Sequence, residues 1–193
     1  RFAENAERHR GGRTYYTFWP GMGHLPSDVA PDLRSRSYLI TALVDILSSV
    51  DEGVLVAHGD ATGGYSFYME KGHLVHDLNV GGQHQLVISP EVIEPGHHEL
   101  QFRMQRYVSD SGGTKGVASL WVDAVEVARM ETDRIFWLMI SWSGLDVGFD
   151  RGTAVGNYAS PYPFTGKLLK VTVDLDVDQE LDHDGVGRIE MAR

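Results

Sequence analysis

From Tyr38 onward the chain alternates between short blocks of apolar or β-branched residues and turn-forming residues. YLITALVDIL (38–47) is a nearly unbroken apolar run and predicts a strand buried on both faces. GVLVAHGD (53–60), YSFYMEKG (65–72), HLVHDLNVGG (73–82) and QHQLVISP (83–90) follow, each bounded by Gly, Asp or Pro. In HHELQFRMQRYV (97–108), His98, Leu100, Phe102 and Met104 fall on one face at period 2. ASLWVDAVEVARME (118–131) reads as two alternating runs joined at Asp123-Ala124, a hairpin. RIFWLMISW (134–142) is apolar again, 144–163 is loop-like, and KLLKVTVDLDV (167–177) predicts the last strand. Before Tyr38, Pro20, Pro26 and Pro31 exclude a long helix, and TYYTFWPG (14–21) reads as a strand that ends at Pro20. No window holds a helical i, i+3, i+4, i+7 pattern. About ten to twelve short strands at regular spacing predict an all-β fold, an antiparallel β-sandwich of jelly-roll, concanavalin A-like or laminin G-like type. The sandwich is expected over 14–177. Residues 1–13 form a linker or the end of a preceding catalytic domain, and 178–193 form an acidic, flexible tail.

Composition narrows the function. The 193 residues include no cysteine, which removes disulfides, thiol nucleophiles and Cys-ligated metals, and which fits a cytoplasmic chain. A net charge of -10 argues against nucleic acid and anionic membrane surfaces as partners. The N-terminal residues lack the apolar core of a signal peptide, and Arg1 in place of Met points to a longer or processed chain. No Walker A loop, G-x-S-x-G elbow or strand–GxGxxG–helix unit is present.

Three groups of residues remain as candidates. Asp174, Asp176 and Asp178 share a strand face and could hold Ca²⁺ through hard oxygens, although the stretch fails as an EF-hand because Gln179 stands where Gly is needed. Asp146, Asp150, Arg151, Asn157, Tyr158 and Tyr162 crowd one loop. That mixture suits a sugar, with Tyr stacking on a pyranose face and Asp or Asn bonding hydroxyls, but it equally suits a long loop that packs through its own aromatics. His58, His76 and His84 could converge as metal ligands only if the fold brings them together.

Several blocks in order carry a family resemblance. RFAENAERHRGGRTYYTFWPGMGHLP (1–26), APDLRSRSYLITALVDI (30–46), EGVLVAHGDATGGYSFYMEKGHLVHDLNVGG (52–82), PGHHELQFRM, ASLWVDAVEVA, LDVGFDRGTAVGNY and PFTGKLLKVTVDL together resemble the C-terminal portion of bacterial arylsulfatases. The resemblance implies a non-catalytic accessory domain that packs on a sulfatase catalytic domain in the same chain, or on a second protomer as a homo-oligomer. Tyr15, Tyr16, Phe18, Trp19, Phe136, Trp137 and Trp142 are the candidate contact residues. It also implies that the parent enzyme uses formylglycine and a divalent metal such as calcium. Neither cofactor belongs to this region, which has no Cys and no Ser followed by x-P-x-R. The competing expectation is a lectin-like module that binds glycan through the 145–163 loop, with calcium assistance.

Overall fold

The computed structural model describes residues 12–136 and 141–181. Eleven strands form two antiparallel sheets and no helix is present among the described residues. The strands are β1 (Tyr15–Phe18), β2 (Tyr38–Ile46), β3 (Gly53–Asp60), β4 (Gly63–Glu70), β5 (His73–Val80), β6 (Gln83–Ile88), β7 (Gly96–Val108), β8 (Thr114–Val122), β9 (Val125–Thr132), β10 (Leu145–Val147) and β11 (Lys167–Leu175). The larger sheet runs β1-β11-β2-β7-β8-β9 and the smaller β10-β3-β4-β5-β6. The expected all-β sandwich is therefore the fold.

Period-2 patterning builds the core. Ile40, Ala42 and Val44 of β2, Leu100, Phe102 and Met104 of β7, and Val171 and Val173 of β11 point inward from the larger sheet. They meet Leu55, Tyr65, Phe67, Met69, Leu74 and Leu78 of the smaller one. The apolar run of β2 alternates in exposure rather than being buried on both faces. The strands buried on both faces are β3, β4 and β5. The cause lies far away in sequence: residues 148–166 fold across the outer face of the smaller sheet.

Two further differences from the sequence reading matter. Leu145–Val147, inside the expected loop, pairs with β3 as a short strand. Three residues are too few to show a period. At the other end the chain is still docked beyond Asp178, whose carboxylate accepts the Ser37 N–H at 2.8 Å and the Ser37 hydroxyl at 2.6 Å. Glu180 pairs with Arg106. The expected tail thus begins with anchored residues.

Candidate functional site

The six loop candidates split into a packed group (Asp150, Tyr158, Tyr162), a buried Asp146 paired with the exposed Arg151, and an exposed Asn157. Gly148 N–H donates to Leu55 O, Val54 N–H to Tyr162 O and Thr165 N–H to Glu52 O, which staples the segment to β3 and to the residue before it. The approach at β3 is so close that a Cβ on Gly53 (φ +115°) would lie 2.3 Å from Pro163 O. Beneath the loop, Val155 packs with Val54, Ala57, Tyr68 and Val75. Tyr158 stacks on Tyr162 (centroids 5.0 Å) and meets Tyr68 edge-on.

The polar groups in this layer are fully engaged. Asp150 is 1% exposed, and its Oδ2 accepts the Tyr158 hydroxyl at 2.7 Å and the Val155 N–H at 2.9 Å. Tyr158 Oη also lies 2.7 Å from Ser66 Oγ. Asp77 is 0% exposed; it pairs with His84 Nδ1 at 2.8 Å and accepts the Asn157 N–H. Burial lifts both the Asp77 and Asp150 carboxyls above the ordinary carboxylate range, against the pull of these donors. Asp146 sits apart, bonded to His24 Nδ1 at 3.0 Å and to the Arg151 N–H at 3.0 Å. The structure therefore joins Asp150, Tyr158 and Tyr162 and pairs Asp146 with Arg151. Of Asn157 it uses only the backbone, with the side chain exposed.

The remaining candidates are dispersed. Asp174 and Asp176 are exposed and Asp178 is spent on Ser37. Among the described residues no group of three or more His, Asp or Glu could hold a metal ion. His58 meets Ser27 Oγ, His76 stacks on Phe102 inside the core and His84 stands on the outer face. Exposure divides the aromatic set: Tyr16, Phe18 and Phe136 are core residues, while Tyr15 (54%), Trp19 (58%) and Trp142 (71%) are exposed; alternation along β1 accounts for Tyr15 against Tyr16 and Phe18. Trp137 lies outside the described residues.

An open cleft lies elsewhere. Where the edge of the smaller sheet at β6 faces β8 and β9, a cleft of about 440 Å³ is lined by His84, Gln85, Lys115, Glu131, Thr132, Asp133 and Arg134. Thr132 Oγ1 donates to Gln85 Oε1 at 2.8 Å and accepts the Arg134 N–H at 2.8 Å, which ties the two sheets together at the cleft. Arg134 Nη2 reaches Gln83 Oε1 at 3.1 Å. Arg34, Arg106, Arg129, Arg151 and Lys167 have carboxylate partners, whereas Arg13, Arg36, Lys71, Arg103 and Lys170 have none within ion-pair distance among the described residues. Lys115 and Arg134 have none within ion-pair distance among the described residues. Because His84 Nδ1 is committed to Asp77, a neutral His84 presents Nε2 as an acceptor. The sequence reading passed over this set. Lys115 sits in a Gly-rich hairpin, and nothing local connects it to residue 84.

No family model matches the chain, and no curated protein does. Solved structures with the same fold are known. One is the CBM40 module of the Ruminococcus gnavus IT-sialidase bound to α2,3-sialyllactose, at 15% identity, 92% of this chain, 96% of that chain and TM-score 0.57. The leech intramolecular trans-sialidase complexed with 2,7-anhydro-Neu5Ac matches at 13% identity over 91% of this chain and 27% of that chain, TM-score 0.56. Mouse laminin α1 domains LG4-5 match at 16% identity over 86% and 43%, TM-score 0.53. These matches overturn the arylsulfatase resemblance: the architecture is that of sialidase-associated and laminin G modules, and nothing found points to sulfatase C-terminal domains. The accessory role expected from the resemblance falls with it, and so does the assignment of the exposed aromatics to a sulfatase core.

Proposed function

We propose that the chain is a carbohydrate-binding module whose ligand sits in the cleft between β6 and β9. The observation that carries this reading is the cleft's lining. A pocket for an apolar ligand is walled mainly by hydrophobic and aromatic side chains, whereas this one presents amide, hydroxyl, carboxylate and cationic groups. Such a set bonds a polyhydroxylated ligand from several sides. The fold is shared with modules solved with α2,3- and α2,6-sialyllactose, which supports the same ligand class here. Lys115 and Arg134 suit a sugar carboxylate, while Glu131, Asp133 and Gln85 accept from hydroxyls.

Isothermal titration with lactose, 3′-sialyllactose and 6′-sialyllactose, each with calcium and with EDTA, tests the reading. Sialyllactose is expected to bind and lactose to bind at least about tenfold more weakly. Arg134→Gln and Lys115→Gln should each weaken sialyllactose by about tenfold without moving the melting temperature. Flat titrations with every sugar overturn the reading. Binding unaffected by both substitutions removes the cleft as its seat.

A further inference from the structure

We infer that the outer edge of β9 pairs with a second copy of this chain, in one register centred on Met130. The argument starts from the four sheet edges. β1 has four residues, and β10 has three and is bridged by Leu25. β6 has six residues. β9 is the longest, with eight residues, and no backbone hydrogen bond from another described segment reaches its outer side. It carries neither Pro nor Lys, the residues that commonly block an edge. Its one irregularity lies near its start, where the register against β8 shifts between Leu120 and Trp121 and leaves Val127 extra. From Ala128 to Thr132 the strand is regular.

Charge selects the register. A two-fold axis perpendicular to the sheet preserves inner and outer faces, so it must pass through a residue paired with its own copy. Centred on Arg129, the pairing sets Arg against Arg; centred on Glu131, it sets Glu against Glu. Centred on Met130, it sets Arg129 against the Glu131 of the second copy twice, on the exposed face. On the inner face it sets Met130 against Met130 and Ala128 against Thr132. Opposite charges directly across strands stabilise a pair and like charges destabilise it. Arg129, which lies 3.7 Å from Glu126 of its own strand, and Glu131 are both exposed, and Met130 is partly buried. The product is one continuous sheet across two chains, with the paired Glu131 at the rim of the cleft.

Sedimentation velocity on the whole chain over a wide concentration range tests the dimer, and charge reversal tests the register. Arg129→Glu and Glu131→Arg alone should each weaken association by roughly tenfold or more, and the double reversal should restore it. Circular dichroism checks that each variant keeps the fold. Because the chain has no cysteine, Met130→Cys adds the only thiol, and its position opposite its own copy suits a disulfide. Oxidation should yield a covalent dimer from Met130→Cys and not from Ala128→Cys. A monomer at every concentration overturns the inference. So does a dimer indifferent to Arg129→Glu, or equal cross-linking from the two cysteine variants.

Discussion

Under the 148–166 segment the two buried carboxylates, Asp77 and Asp150, each have two donors, whereas in the cleft at β6 and β9 two cations have no carboxylate within ion-pair distance among the described residues. Both regions are rich in polar side chains, and from composition alone they look equally suited to a sugar. The difference is what those side chains are already bonded to. A buried polar group without a partner costs about 1–3 kcal/mol, so a closed interior spends its polar groups on itself. The loop layer does this, with Tyr158 bridging Asp150 and Ser66. Groups at an open surface carry no such demand, and their capacity remains for a ligand. A polar, aromatic loop is therefore weaker support for a binding site than a cleft whose charges remain unpaired.

The largest test of that contrast is Asp150→Ala. It leaves the Val155 N–H without its partner and the Tyr158 hydroxyl with Ser66 alone in a buried layer, and should lower unfolding stability by about 2 kcal/mol in urea titrations. Sugar affinity at the cleft should stay within a factor of about three. A mild loss of stability with abolished binding would reverse the assignment of the two regions.

Acid stability comes next. His76 is fully buried against Phe102, its Nε2 has no partner, and burial holds its pKa down to about 3. The unfolded chain binds that proton at about 6.5. The His76 contribution is thus whole above pH 6.5 and is lost progressively as pH falls toward 3. Asp77 and Asp150, raised by burial, act in the opposite sense. Comparing wild type with His76→Leu at a series of pH values isolates the histidine, and the variant should show a flatter acid limb. An unchanged slope would mean that His76 is not the controlling group.

His84 belongs to both regions, since it pairs with buried Asp77 and lines the cleft. His84→Ala should cost about 1 kcal/mol of stability and also weaken sialyllactose several-fold. A change in only one readout would separate regions that the structure joins. The smallest effect is expected from Asn157→Ala, because only its backbone N–H reaches Asp77. Stability should move by less than about 0.5 kcal/mol, and a larger loss would mean that its exposed amide does more than the geometry assigns.

The false family resemblance has a physical source. Apolar blocks at period 2, separated by Gly and Pro turns, are what any β-sandwich requires. Block order along a chain can therefore match between modules that share physics and not function.

The strands themselves were readable from local alternation. Leu100, Phe102 and Met104 face the core because side chains alternate across a strand, and Asp123-Ala124 turns the chain because both residues adopt positive φ there. The absence of helix and the all-β class followed from the same periodicity. Tertiary structure alone decided that 148–166 would cover the smaller sheet, which made β3 to β5 two-sided and left β2 one-sided. It alone brought Asn157 to Asp77, and His84 to within one cleft of Lys115 and Arg134. Alternation states which face a side chain takes. It carries no information about what will lie against that face, because this depends on contacts between residues many strands apart.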